Sequence, residues 1–314
     1  MPASQSALAS PGLEAPVRRF EKYEAAVEAM AGYEAALRDS ALVRRSNGLT
    51  VTDQDQPEEV FCLFPAHPLQ PPLAIIGGLG PLAGAMAFRQ ACARFRNSRA
   101  VVLYQACSLP DRSAVILGPD SGLSRELASR LAGAVRLAVD LAGPAGEPAR
   151  CFIACNSAHY FWPLLKYDLH QPERECQVQM ISLVDSTLEA LRFQPCRKAL
   201  VLTAEGARLG QVFSAPFREA GVAFEEPPPN SCGLLMRAIV EGVKALDDRR
   251  AVDLGNEFFE TIPRNGSDCD CVLAGCTELP LIIDLLRLRG SPRVAAFLSR
   301  VRIVDPLEEA LCRA

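Results

Sequence analysis

The chain has 314 residues, a formal net charge of -4, 49% hydrophobic and 22% charged residues. That length can bury the cores of two domains, and the balance is that of a folded globular protein rather than a disordered one. Lys and Arg are scattered without a basic stripe to neutralise phosphates, so a small-molecule partner is expected and no nucleic acid.

The longest apolar runs, Ala199 to Ala204 and Leu279 to Leu286, are too short or too interrupted to cross a bilayer, so no membrane partner is expected. The first sixteen residues are rich in Ser, Ala and Pro, without a basic start or a central apolar run. They do not read as a secretory signal, which leaves a non-cleaved targeting signal open and points to the cytoplasm. The 12 cysteines are then expected to stay reduced. Their close pairs, Cys151 with Cys155 and Cys269 with Cys271, make no Cys-x-x-Cys, and His67, His159 and His170 are the only histidines. No metal site is expected.

In chain order, residues 17 to 46 carry Phe20, Tyr23, Val27, Met30, Tyr33 and Leu37 at helical spacing, which predicts one amphipathic helix packed on the main domain or on a second subunit. Residues 47 to 72 read as a Pro-rich linker with a short extended segment over Val60 to Phe64. Residues 1–72 thus form an N-terminal helical extension. From Leu73 onward, short aliphatic runs alternate with helical periods, the pattern of α/β units with parallel sheets. Strands are predicted at 73–77, 100–104, 150–154, 178–184, 198–203, 269–274 and 301–304. Helices are predicted at 82–96, 123–141, 158–169, 210–220, 232–246, 251–262 and 279–289.

A coarse repeat follows. Ile75-Ile76-Gly77-Gly78-Leu79-Gly80-Pro81 and later Ala154-Cys155-Asn156-Ser157 are echoed by Leu202-Thr203-Ala204-Glu205-Gly206 and later Gly275-Cys276-Thr277-Glu278. Two similar α/β units are implied, with these four turns at the carboxyl ends of strands, where open parallel sheets bind ligands. Cys155 and Cys276 each sit between a strand and a helix, near free backbone N–H groups and the positive end of a helix dipole, which favours thiolate. Two cysteines at equivalent turns suit a two-base proton exchange across an interdomain cleft. The dinucleotide pattern fits poorly: Gly78 and Gly80 are followed by Ala83 rather than Gly, and the next strand ends in Tyr104-Gln105 without an acid for a ribose. A turn whose amides approach a small carboxylate fits better.

From Leu73 to its end the chain resembles the aspartate/glutamate racemase superfamily. The resemblance rests on Gly77-Gly78-Leu79-Gly80-Pro81, Leu109-Pro110-Asp111-Arg112, Cys155-Asn156-Ser157-Ala158-His159 and Gly275-Cys276-Thr277-Glu278. It implies two pseudo-symmetric three-layer α/β domains with the active site in the cleft between them, and frequently a homodimer. The domains would be residues 73–177 with 291–314, and residues 178–290. It implies cofactor-independent racemisation of aspartate or glutamate, with no metal and no pyridoxal phosphate, Cys155 and Cys276 being the catalytic acid/bases. Substrate would be held by Gly78, Gly80, Asn156, Ser157, Thr203 and Thr277, with Arg112 and Lys244 as cations for a dicarboxylic acid. Glu278 after the second Cys-Thr is similar to the aspartate-type group. Relatives also include hydantoin racemases and maleate isomerases, and a ligand-binding or interaction protein on the same fold is the remaining alternative. This sequence departs from the usual motifs at Leu79, Gly84, Ser157 and Ala207; a missing hydroxyl at Ala207 removes a potential donor to the substrate carboxylate.

Overall fold

A computed structural model of the chain describes residues 15–49, 56–143, 147–171, 176–262 and 269–314. The first fourteen residues, read above for a targeting signal, and residues 50–55 of the linker lie outside the described residues.

Ten strands and thirteen α-helices build two sheets among the described residues. The strands are β1 (Val17–Phe20), β2 (Glu59–Leu63), β3 (Leu73–Gly77), β4 (Val101–Gln105), β5 (Ala149–Ile153), β6 (Val178–Met180), β7 (Ala199–Thr203), β8 (Phe224–Glu225), β9 (Cys271–Gly275) and β10 (Arg302–Val304). The first sheet has the order β1-β2-β4-β3-β5-β6 and the second β10-β9-β7-β8. Within the first, β4-β3-β5-β6 are all parallel, and their order around the leading strand matches β8-β7-β9-β10, also all parallel. Every residue of β3, β4, β7 and β9 is buried, as expected for central parallel strands covered by helices on both faces.

The helices are α1 (Tyr23–Ser46), α2 (Pro81–Phe95), α3 (Arg112–Leu117), α4 (Ser121–Ala142), α5 (Trp162–Leu169), α6 (Leu183–Phe193) and α7 (Glu205–Leu209). They continue with α8 (Ser214–Glu219), α9 (Pro229–Arg237), α10 (Asp248–Thr261), α11 (Leu279–Arg289), α12 (Pro292–Arg300) and α13 (Pro306–Arg313). A 3₁₀ turn, Ser157–Phe161, precedes α5, and a wide-turn stretch, Ala238–Lys244, continues α9. In that stretch Ala245 N–H bonds Val240 O and Asp247 N–H bonds Gly242 O, each five residues back, the geometry of a π-bulge.

The expected parallel α/β architecture is present, with three corrections. The N-terminal segment is not a helix and linker set apart from the first sheet. Residues 17–20, expected as helix, are β1, and β1 and β2 extend that sheet, β2 running antiparallel to β4. Phe61 and Leu63 carry this edge into the core, where Met30 and Leu37 of α1 join it. Second, the strand expected over 178–184 ends at Met180, because Ser182 accepts a hydrogen bond from Asp185 N–H and caps α6. Third, β6 pairs with β5 and β10 pairs with β9, so residues 178–180 lie in the first sheet and 302–304 in the second, the reverse of the expected division. The C-terminus then returns to the first sheet, where Arg150 donates to the carbonyls of Arg313 and Ala314.

Candidate active site

The strands β3, β5 and β9 end in turns that converge on a cavity of about 420 Å³. Its wall includes Cys155, Asn156 and Ser157 after β5, Cys276, Thr277 and Glu278 after β9, Leu79 after β3, and Asp111, Arg112 and Ser113 at the start of α3. The helical stretch before α10 adds Met236, Ile239, Val240 and Lys244, and Ala204 follows β7.

Eight of the eleven residues singled out in the sequence line this cavity: Cys155, Cys276, Arg112, Asn156, Ser157, Lys244, Thr277 and Glu278. Three do not. Thr203 ends β7 with its methyl group packed toward Gly275, and the next residue, Ala204, faces the cavity instead. Gly78 has φ of +79° and lies so close to the backbone of Ala106 and Cys107 that any Cβ would collide, so it serves the tight turn. Gly80 lies behind the wall, where a Cβ would strike Glu278 Oε1. Ala207 is buried in the core of the second sheet and is not part of the cavity wall, so a hydroxyl there would enter an apolar cluster rather than the cavity.

At the first cysteine, Cys155 is 7% exposed and precedes Asn156, whose amide oxygen and nitrogen are both buried without a hydrogen-bond partner among the described residues. A buried carboxamide with all its bonds unmade is costly unless something in the cavity takes them. His159 is committed elsewhere. Its Nε2 accepts from Leu183 N–H at 2.9 Å, so Nδ1 carries the proton and donates to Cys155 O at 3.1 Å. The ring stacks on Trp162, and burial pushes its pKa down to about 4, so it stays neutral and ties the Cys155 turn to the start of α6.

The second cysteine has a different neighbourhood. Cys276 Sγ donates to Glu278 Oε2 at 3.0 Å, and Thr277 Oγ1 donates to the same oxygen at 3.2 Å. Burial first, then the Glu278 charge and hydrogen bond, push the Cys276 thiol well above its ordinary value, against a smaller pull from Lys244. The expectation that both turns favour thiolate therefore fails at Cys276: desolvation and an adjacent carboxylate outweigh the helix N-terminus. The two cations meet at one atom, since both Arg112 and Lys244 donate to Leu79 O, Lys244 at 3.5 Å, while Arg112 also holds Pro110 O at 2.9 Å.

Sequence reasoning gave Leu79, Leu109 and Asp111, though they stand in the quoted motifs, no place in the site, and missed Ser113 and the rest of the apolar wall. Met236, Ile239, Val240 and Lys244 recur at three-to-four-residue spacing, which is the signal that marks one helix face, yet it says nothing of what the face meets. Away from this cavity, Cys196, Asp270 and Cys271 bring ligand atoms within 4.8 Å of one another, a grouping the sequence spacing did not show. There Asp270 accepts from the backbone N–H groups of Arg197 and Lys198, so its carboxylate already fastens the loop into β7.

A family model described as Asp/Glu/hydantoin racemase matches residues 76–312. The chain belongs to that family. As a racemase-family member it is an isomerase, and the match runs from the end of β3 into α13 and covers the whole cavity wall. Among solved structures it is similar to the aspartate racemase of Picrophilus torridus, at 18% identity and a TM-score of 0.57, covering 78% of this chain and 92% of that one. It is also similar to an aspartate racemase homologue from Pyrococcus horikoshii, at 18% identity and a TM-score of 0.51, covering 78% of this chain and 97% of that one. At these identities the likeness establishes the racemase fold.

Proposed function

We propose that this racemase-family chain interconverts the enantiomers of an acidic amino acid, aspartate or glutamate, without a cofactor, using Cys155 and Cys276 as opposed bases. The observation that carries the reading is that both thiols border one cavity that also holds two cations and an uncommitted amide. Asn156, Ser157 and Thr277 bind the α-carboxylate and the charge that develops beside it when the α-proton leaves. Arg112 and Lys244 take the side-chain carboxylate, and Glu278 pairs with the substrate ammonium.

The proton inventory closes within the site. A thiolate at Cys155 removes the α-proton and becomes a thiol; the Cys276 thiol delivers its proton to the opposite face of the carbanion and becomes a thiolate. A raised Cys276 pKa suits this direction, because the resting group is the acid. The opposite direction runs from the state this turnover leaves: Cys276, its charge offset by Lys244 and the substrate ammonium, is the thiolate that removes the α-proton, and the Cys155 thiol delivers its proton to the other face. Cytoplasmic location and a homodimer belong to the same reading, the latter tested by light scattering on the purified chain.

One observation favours a second reading. The wall formed by Leu79, Leu109, Met236, Ile239 and Val240 is apolar, which suits a bulkier, less charged substrate such as a substituted hydantoin. Incubation with each L- and D-amino acid, with hydantoins and with maleate in deuterated water, followed by proton NMR and chiral chromatography, separates them. Loss of the α-proton signal with aspartate or glutamate supports the first reading; turnover of hydantoins or maleate alone replaces it.

A further inference from the structure

Behind the Cys276 end of the cavity is a second, much smaller hollow of about 20 Å³, the size of a single water. It is bordered by Gly80, Lys244 and Glu278 on the catalytic side and by Leu37 and Gln56 on the other. Leu37 belongs to α1 and Gln56 to the segment entering β2, both outside the residues matched by the family model. Glu278 is 3% exposed, and its Oε1 has no hydrogen-bond partner among the described residues, while Oε2 is taken by Cys276 and Thr277. A buried carboxylate oxygen is costly to leave bare, and a one-water hollow whose otherwise apolar wall includes Gln56, Lys244 and Glu278 gives a bridging water the polar partners it needs.

We infer that Gln56 is a positioning residue of the active site: through one water in this hollow its carboxamide completes the hydrogen bonding of Glu278 Oε1 and so holds the carboxylate against Cys276. The N-terminal segment is thereby part of the catalytic apparatus. It is fastened for that task. Arg38 pairs with Asp248 at 2.8 Å, Arg45 donates to Ala245 O, and Met30, Leu37, Val243 and Leu246 share one core cluster. The other charged or titratable groups that line the cavity with Glu278 are Lys244 from the helical stretch before α10, Asp111 and Arg112 at α3, Cys155 after β5, and Cys276 beside it. None of these comes from the N-terminal segment, so among the described residues Gln56 is that segment's one polar contribution to the hollow.

The inference deepens the proposed racemisation and rests on it for the meaning of Cys276, but its test needs no substrate. The rate of alkylation of each cysteine by iodoacetamide is followed against pH by peptide mass spectrometry in the native, full-length chain. Replacing Gln56 by the apolar, similarly shaped Met (Gln56→Met) leaves the Glu278 charge less solvated, so that it bears harder on a thiolate at Cys276. The midpoint for Cys276 is expected to rise by about one pH unit, the effect of one lost hydrogen bond to a charged group, with Cys155 unmoved. Gln56→Glu, which keeps the shape and adds a charge, is expected to move Cys276 the same way and serves if the Met variant fails to fold. A Cys276 midpoint unchanged in a folded variant, or Cys155 and Cys276 moving together, overturns the inference. Absence of α-proton exchange in the parent protein would overturn the proposed reaction and leave the alkylation result standing.

Discussion

The two cysteine turns occupy equivalent places in the two sheets, after β5 and after β9, yet their surroundings differ in kind. At the Cys155 end a neutral His159 holds its carbonyl, and Asn156 offers a dipole with no hydrogen-bond partner among the described residues. The Cys276 end is crowded with charge, since Glu278 accepts a hydrogen bond from its S–H and Lys244 lies beside it. Similar backbone architecture has thus placed two thiols with different neighbours around one cavity. A two-base enzyme built this way should run its two directions at unequal rates when each is measured alone, because one thiol gives its hydrogen bond to a carboxylate and the other stands beside an uncharged amide.

Removing either thiol is the largest expected break in that comparison. Cys155→Ala and Cys276→Ala are each expected to lower racemisation by roughly 10²–10⁴-fold, the span of a lost general acid or base. The asymmetry shows in what survives: each variant keeps solvent deuterium exchange into only one enantiomer, the opposite one for each variant. Undiminished racemisation in either single variant would end the two-thiol reading.

A smaller effect is expected at the carboxylate. Glu278→Gln removes the charge that, together with burial, holds Cys276 protonated, so the pH midpoint of Cys276 alkylation should fall while that of Cys155 stays. Racemisation should drop by about 10–100-fold, more in the direction that starts with Cys276 as base. Gly80→Ala sharpens the same point without touching a titratable group. Gly80 has φ of 164°, extended backbone that any residue adopts, so the demand is for space: a Cβ would strike Glu278 Oε1. The collision should cost on the order of 1–3 kcal/mol, shared between stability and a displaced carboxylate. A variant with parent thermal stability and parent activity would show that Glu278 moves freely.

Much of this was legible in the chain. The central strands announced themselves as aliphatic runs, α11 has the same limits, 279–289, as its period indicates, and the motifs around Cys155, Arg112 and Cys276 named most of the cavity wall. What failed shares one physical cause, dependence on partners distant in sequence. Residues 17–20 have helical spacing with the stretch that follows, but an open edge beside β2 makes them a strand. Sequence order gave no way to see that 302–304 pair with β9, or that Leu37 and Gln56 reach the back of Glu278. Cys276 was misjudged because a helix N-terminus is visible in a sequence, whereas burial and the rotamer of a side chain two residues on are not.

The smallest expected effect concerns His159 and is a matter of stability rather than chemistry. Its pKa is depressed by burial from 6.5 to about 4, so between those values the unfolded chain binds a proton that the folded chain refuses. Stability contributed by the neutral ring is therefore present above about pH 6.5 and is lost as pH falls toward 4. Protonation would force a second N–H at Nε2 against the Leu183 N–H that now donates to it, loosening the Cys155 turn from α6. Melting temperature measured from pH 7 to pH 4 should decline in the parent protein and decline less steeply in His159→Gln, whose amide can donate and accept without titrating. Identical slopes would assign the acid sensitivity to other groups. Because Cys276 has no link to His159, its alkylation profile should be the same in both proteins.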